Sequence, residues 1–416
     1  MQLKLLNFYK MLANIANNLV GAFVPLIVYK ATGSLVDVAL FLFVRVIFRL
    51  ISDITLKNFI QSKPEIFLII RFFTVAIYCF SLTIISSNII LGCLLVALFY
   101  GLDNSIKTLA NETLFNYASS ARADSSNIGL TRLFEELGVL LGVFVGGLLL
   151  DVDQLVVYIL ATIMYFVSIL PLFVYYIKNK KNPAFNKELV SNATTKLTEN
   201  NTIDNKKSVK YIILSMLMCY GVVYFCFAPN DTISMIFNVN NFLSGGTSYS
   251  FASYIIITFE ITYAVGGLLV SILDRRHDLL DVARGACLIL AGVFVVMTFV
   301  HNTIVMFVCF GLFGFVQPVL SIFVLQRLMQ KSRILGASNS AFVMRDIACC
   351  VSYAVLYLLV LVFGLLNISL SWYFLVAGIM MIVTFFVMPY MEEKTRKMLV
   401  DFVEDNDIST NNTHIL

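Results

Sequence analysis

Charged side chains inside long apolar runs are the residues of this sequence whose types and spacing predict chemistry. Arg45, Arg49 and Asp53 follow one another every four residues, and Asp103 and Lys107 show the same spacing in a later run. Residues four apart lie on one face of a helix. Because charge is costly in an apolar environment, such side chains usually face a cavity or pair with one another. They predict either a polar pocket for a substrate with a carboxylate or phosphate, or ion pairs that lock helix packing.

A second group of residues is suited to proton transfer. Glu260 lies midway along an apolar run, with no basic residue one helical turn away. A carboxyl group in a low-dielectric site can take up and release a proton near neutral pH. The alternatives are a hydrogen bond from a tyrosine such as Tyr263, or a structural pair with a distant arginine. Glu135 and Glu136 are the next candidates. Glu136 stands four residues after Arg132 and should pair with it, which leaves Glu135 as the freer carboxylate.

Two further polar pairs suggest a binding face and a gate. Asn14 and Asn18 share one helix face, where they either hydrogen-bond a substrate or bind another helix. Arg345 and Asp346 lie near the start of an apolar run, and we expect them to act as a gate pair.

Composition indicates the environment in which these residues lie. The chain has 416 residues, of which 59% are hydrophobic and only 13% are charged. A bilayer-spanning helix needs about 20 mostly apolar residues, and many runs reach that length. We therefore predict a polytopic membrane protein with about twelve spans. They lie near residues 5–29, 35–56, 65–86, 89–117, 126–150, 154–177, 209–237, 248–273, 282–300, 303–328, 337–363 and 369–390.

Basic residues indicate the domain boundaries and the orientation. Lys and Arg concentrate in alternate loops and in the polar stretch between the two sets of spans, and only Lys30 breaks this pattern. The positive-inside rule then predicts a cell (inner) membrane protein with both termini in the cytoplasm. The predicted parts are an N-terminal six-helix bundle (1–177), a cytoplasmic linker (178–208), a C-terminal six-helix bundle (209–390) and a cytoplasmic tail (391–416). Because the net charge of +4 follows from this topology, we expect no nucleic-acid partner.

A repeated cytoplasmic loop carries a candidate latch. The stretch GGLLVSILDRRH contains Asp274, Arg275 and Arg276, and the equivalent loop of the first half keeps Asp53 with Arg49 at the glycine position. An aspartate at the membrane edge can accept hydrogen bonds from a neighbouring helix end and from an arginine. Such a contact would hold one access state and release in the other. The alternative is simple snorkelling of arginine at the membrane edge.

These residues resemble the signature G-x-L-a-D-r-x-G-R-[RK] between helices 2 and 3 of the major facilitator superfamily. The resemblance implies an all-α integral membrane fold of about 12 transmembrane helices in two six-helix pseudo-symmetric bundles. It also implies secondary transport by alternating access, with gating residues at the positions of the latch.

A glycine stripe bears on the direction of transport. Gly138, Gly142, Gly146 and Gly147 are similar to the G-x-x-x-G-P-x-x-G-G motif of drug/proton antiporters, with Val143 at the proline position. Small residues give a smooth face on which we expect the opposite bundle to pack closely and slide. Generic helix packing is the alternative.

The sequence therefore favours an exporter of a small solute or drug-like compound in exchange for protons. An inward proton–solute symporter and a lipid or metabolite flippase of the same fold remain open. A membrane enzyme is less favoured, because the three histidines fall in loops or the tail. We expect a monomer without cofactor or metal, whose partners are a small-molecule substrate, protons and the lipid bilayer. The eight cysteines lie in apolar runs, as packing residues do.

Overall fold

The computed structural model describes residues 2–118, 124–180, 248–273, 279–299, 302–334, 338–369 and 371–405. The predicted span 209–237 and nearly all of the linker lie outside the described residues. The helices of the first half are α1 (Gln2–Val20), α2 (Val24–Thr32), α3 (Leu35–Ser62), α4 (Pro64–Ile85), α5 (Ile89–Ala118), α6 (Asp124–Leu150) and α7 (Gln154–Lys180). Those of the second half are α8 (Tyr249–Leu273), α9 (Leu279–Phe299), α10 (Thr303–Ile334), α11 (Ser338–Leu365) and α12 (Ser371–Asp405).

Ten segments in the described part of the chain are long and apolar enough to cross a membrane. Helices α1 and α2 together form the first of them, Leu3–Thr32, and α4 to α12 supply the others. Helix α3 runs alongside them although it carries five charged residues. Large apolar side chains point outward, such as Phe80 at 67% and Ile90 at 83% exposure, as lipid-facing residues do. The all-α, multi-pass membrane prediction is confirmed.

Apart from α1 and α2, which form one span, and α7 and α8, between which the chain is not described, consecutive helices run in opposite directions, which defines two ends of the bundle. Helix α1 begins and α12 ends at one end, which we call the terminal face. The turns around residues 33, 87, 152, 302 and 367 lie at the other end, the opposite face.

The first span is interrupted in its second half. Helix α1 ends at Val20, a 3₁₀ turn covers Gly21–Phe23, and α2 resumes with Pro25 in its first turn. Proline lacks a backbone N–H, so it is accommodated at a helix start and not in its interior. Helix α2 then ends at Gly33, whose φ of 69° forms a left-handed C-cap with its N–H on the Tyr29 carbonyl.

Contacts between the halves fall into two groups. Helix α3 packs on α11, with α5 beside it, and α6 packs on α8, with α10 beside it. Within the first half, α1 lies between α6 and α7, and α4 packs on α5. Within the second half, α10 lies between α8 and α9, and α12 packs on α9. The polar residues of α3, α5, α6, α8 and α11 are thereby brought to the boundary between the halves.

The glycine stripe corrects an expectation. Added Cβ atoms at Gly138, Gly142 and Gly146 would collide with the backbone of α1, in the same half. Only Gly147 faces the other half, where an added Cβ would lie 2.5 Å from the Cβ of Ser253. The expectation that the whole stripe faces the opposite bundle is therefore wrong. Residues four apart stack on one helix face, whereas Gly147 is turned about 100° from Gly146.

Candidate functional site

Two cavities lie along the boundary between the halves. The terminal cavity, of about 310 Å³, is bordered by the terminal-face parts of α1, α5, α6 and α11. The central cavity, of about 290 Å³, is bordered by the helix break of the first span and the middle of α3, α5, α8 and α11. Arg49, Lys107 and Val139 line both cavities and so separate one from the other.

The lining of the central cavity is positively charged and aromatic. Among the described residues, Arg45, Arg49 and Lys107 are its basic side chains and Glu260 is its carboxylate. Glu260 has an interaction partner, so it is less isolated than the absence of a basic residue one turn away on its own helix indicated. The hydroxyl of Tyr263 pairs with that of Ser321 at 3.1 Å. The aromatic rings of the lining are Tyr100, Phe259, Phe310, Tyr353 and Tyr357.

Close packing of α3 on α5 fixes the position of Arg45. An added Cβ at Gly101 would lie 2.7 Å from the carbonyl oxygen of Arg45, so the two backbones touch there. The guanidinium of Arg45 lies 5.0 Å from the ring centroid of Tyr100, a cation–π distance. Tyr100 in turn donates its hydroxyl to the Gly21 carbonyl at 3.1 Å. The interruption of the first span at Gly21 therefore positions the Tyr100 ring that contacts Arg45.

Arg49 joins the two halves. Its Nη2 donates to Oδ1 of Asp346 at 3.0 Å and to the Thr108 hydroxyl at 3.2 Å. Its Nε also lies 3.8 Å from Asp53, one turn further along α3. The gate residues predicted from the sequence thus meet, although Asp346 pairs more closely with Arg49 than with its neighbour Arg345, which is 3.7 Å away.

Two more contacts strengthen this end of the boundary. Arg345 pairs with Glu112 of α5, a residue that the sequence reasoning did not select. Asp53 is fully buried, accepts a hydrogen bond from Ser105 at 2.5 Å and contacts the Cys350 thiol of α11 at 3.5 Å. The other predicted gate residues, Asp274, Arg275 and Arg276, lie outside the described residues.

The predicted pairing of Asp103 with Lys107 is wrong. Asp103 accepts two hydrogen bonds from Arg71 of α4, at 2.7 and 2.8 Å, and a third from Thr74 at 3.1 Å. Arg71 is fully buried and lies over the Tyr165 ring. A bidentate arginine–carboxylate pair requires a specific geometry, so Asp103 is committed to α4. Lys107 lines the two cavities instead.

The terminal cavity contains a second unpredicted pair. Lys10 of α1 donates to Glu135 at 2.9 Å, so the expectation that Glu135 is the freer carboxylate is wrong. The side-chain nitrogen of Asn14 lies 3.4 Å from the Glu135 carbonyl, and that of Asn18 lies 2.9 Å from the Asn14 carbonyl. Glu136 is buried at the same cavity. Its pairing with Arg132 stays a prediction, because the Arg132 side chain lies outside what the structure describes.

At the opposite face, Asp151 caps a helix of the other half; we call this contact the α8 cap. Its carboxylate accepts from the backbone N–H groups of Tyr249 and Ser250 at 3.0 and 2.9 Å. It also accepts from the hydroxyls of Ser248 and Ser250 at 2.9 and 2.6 Å. Although burial favours the neutral acid, these hydrogen bonds hold the pKa of Asp151 below its ordinary value. Lys30 lies 3.4 Å from the Tyr249 ring centroid and strengthens the same contact.

The residues that sequence reasoning missed carry a recognisable signal. Arg71, Lys10 and Glu112 each lie within a predicted span. The rule that selected Arg45 and Asp103 applies equally to them, because any charge in an apolar run requires a partner or a cavity.

Two helical halves with a polar cavity between them define the class of two-halved membrane transporters. The chain belongs to the Major Facilitator Superfamily, whose family model matches residues 6–353. Two solved structures are similar to it, each with a TM-score of 0.57 at 14% identity, over 94% of this chain and 98% of the other. One is the E. coli fucose:proton symporter FucP carrying a point substitution, and the other is FucP in the outward conformation. At this identity the likeness shows the shared fold. A comparison with curated proteins finds no match.

Proposed function

We propose that this protein exports a small solute in exchange for protons by alternating access. The central cavity between the halves carries this proposal. Arg49, which is ion-paired with Asp346, lines the cavity toward the terminal face, and the α8 cap joins the halves closer to the opposite face. A binding site with a separable contact on each side is what alternating access requires.

The size of the cavity supports a small solute. Pockets for drug-sized ligands measure about 300–1,000 Å³. The central cavity, at about 290 Å³, lies at the lower limit of that range. Its charged lining is also unsuited to an acyl chain. Both features argue against the lipid flippase and against a bulky drug.

Glu260 is our candidate for the proton carrier. It lines the central cavity together with Arg45 and Lys107, so its protonation changes the charge that a bound solute meets. Glu135 and Glu136 are the second candidates, at the terminal cavity. Since Glu135 is held by Lys10, Glu136 precedes it in the order of testing.

Inward proton–solute symport is the second candidate function, because the fold is shared with a structure described as a fucose:proton symporter. The charge pattern of the loops supports a cell-membrane protein with both termini in the cytoplasm, in either direction of transport. We propose that it acts as a monomer.

The test is solute-driven proton movement in liposomes that contain the purified protein and an internal pH dye. A panel of small solutes is added outside, without a pH gradient. Antiport expels protons from the lumen as solute enters, whereas symport acidifies it. With Glu260→Gln, downhill solute exchange should survive and the pH signal should vanish. Glu393→Gln, at an exposed carboxylate on α12, is the matched control. A normal pH signal in Glu260→Gln moves the coupling role to Glu136.

A further inference from the structure

We infer that the central cavity holds a small organic anion between Arg45 of α3 and Lys107 of α5. The inference rests on the proposed transport function and names the substrate class: a carboxylate or a phosphate ester on a small body.

The first step is a comparison of the basic residues carried by α1, α3, α4, α5 and α11. Four of them lie within ion-pair distance of an acid. These pairs are Lys10 with Glu135, Arg49 with Asp346, Arg71 with Asp103, and Arg345 with Glu112. Arg45 and Lys107, in contrast, have no carboxylate within 4.0 Å in the part of the chain that the structure describes. Both are half-buried and both line the central cavity.

The second step concerns the charge of this cavity. The charge of Arg49 is balanced by Asp346, which leaves Arg45 and Lys107 opposed by Glu260 alone among the described lining residues. Positive charge in a membrane interior is costly unless it is compensated. Lys107 also interacts with Asp103, Glu135 and Glu136 at longer range. An anion that enters the cavity adds close compensation for Arg45 and Lys107, and a neutral solute of the same shape does not.

The third step concerns the chemistry of recognition. A guanidinium offers a planar fork that suits carboxylate or phosphate oxygens, and an ammonium offers a point charge. The cation–π contact of Arg45 with Tyr100 restricts the position of the guanidinium before a ligand binds. On the far wall, the rings of Tyr353 and Tyr357 are stacked with an interplanar angle of 14°. The cavity thus combines two cations on the first half with an aromatic wall on the second, which suits a small body bearing one or two negative charges.

The test measures binding directly, with purified full-length protein in detergent and without any gradient. The anionic probes are lactate, succinate, glycerol 3-phosphate and inorganic phosphate. The neutral probes are lactamide, succinamide and glycerol. We expect at least one organic anion to raise the melting temperature and to bind saturably, while its neutral counterpart does not. Arg45→Gln and Lys107→Gln should each weaken that binding by about tenfold or more, the loss of a charge-assisted hydrogen bond. Lys57→Gln, a change of equal charge on α3 outside both cavities, should leave it unaltered.

Three results would overturn the inference: no organic anion binds, the neutral counterparts bind as well as the anions, or both cavity variants bind like wild type. The first two of these results come from wild-type protein alone, so they do not depend on whether the variants fold. Failure of transport is a separate result. Anion binding without any solute-driven flux in liposomes contradicts the proposed function and leaves the anion site standing. Proton-coupled flux of a neutral solute without anion binding contradicts the anion site and leaves the proposed transport function standing.

Discussion

The two ends of the boundary between the halves are held by different chemistry. Toward the terminal face, α3 meets α11 through ion pairs of long side chains, with Arg49 on Asp346 as the central contact. Toward the opposite face, the Asp151 carboxylate binds the backbone of α8 directly, and Gly147 lets α6 approach Ser253. At the terminal face the halves are joined by side-chain ion pairs beside a cavity. At the opposite face a carboxylate of one half binds the backbone N–H groups at the start of a helix of the other half.

This difference indicates how each end would separate. Arg49 has Asp53 and Thr108 as further partners, so it can exchange one contact for another without being left unpaired. The α8 cap offers no such exchange, because the backbone N–H groups of Tyr249 and Ser250 face a single carboxylate. We therefore expect graded rearrangement at the terminal face and an all-or-none release at the opposite face.

The largest effect should come from breaking a contact that belongs to neither end. Asp103→Asn leaves Arg71 fully buried without its counter-charge, which costs about 3–5 kcal/mol of stability. We expect a large loss of folded protein, measured by the yield of monodisperse protein in detergent. The double variant Arg71→Met with Asp103→Leu should recover most of the yield. Equal losses in the single and double variants would contradict a role for the charge itself.

Gly147→Val should give the next largest effect, at the opposite face. Its side chain collides with Ser253, where an added Cβ already lies 2.5 Å away, so α6 and α8 must move apart. Overpacking of this kind costs about 1–3 kcal/mol. Spin labels at Val152 and Ile304, both exposed at the opposite face, should report a longer distance by pulsed EPR. Gly292→Val, at a site with no heavy atom within 4 Å of an added Cβ, should leave the distance unchanged.

Asp151→Ala tests the cap alone. Removal of a capping side chain costs about 0.5–2 kcal/mol, so the population that is open at the opposite face should rise by about twofold to thirtyfold. The same spin-label pair measures it. Asp153→Ala is the matched control, because Asp153 caps α7 of its own half, with the Leu155 N–H at 2.8 Å. An equal opening in both variants would contradict a specific role of Asp151 between the halves.

Asp346→Asn should have a smaller effect, at the terminal face. Arg49 keeps Asp53 and Thr108 as partners and is not left as an uncompensated buried charge, so we expect a smaller opening than Asp151→Ala produces. Labels at the exposed residues Phe59 and Lys394 report the distance at that face. A larger opening here than Asp151→Ala produces at the opposite face would reverse the comparison between the two ends.

Acidification from pH 8 to pH 5 should leave the contribution of the cap unchanged. Because the pKa of Asp151 is lowered in the folded protein, its stabilisation is complete above the ordinary pKa and is lost only as the pH falls through the lowered one. The difference in EPR distance between wild type and Asp151→Asn should therefore be the same at pH 8, 6 and 5. A difference that shrinks by pH 5 would show that the carboxylate titrates within this range.

The fold could be predicted from the sequence because membrane spans are local patterns. A long, mostly apolar run predicts α4 or α9 without reference to any other helix, although each contains two charged residues. Partners could not be predicted in the same way. Spacing by four correctly placed Asp103 and Lys107 on one helix, yet the counter-charge of Asp103 came from α4. Arg49 and Asp346 were both selected, but only the packing of α3 on α11 shows that they meet.

The glycine stripe also has a consequence for synthesis of the chain. The stripe on α6 receives α1, so the first helix reaches its final neighbour only after α6 has been made. At about 5–20 residues per second, that delay is on the order of 10 s. During it, the buried residues Asn7, Lys10 and Asn14 have neither the α6 backbone nor Glu135 beside them. The capture of the first helix by α6 is therefore a late and long-range event in folding.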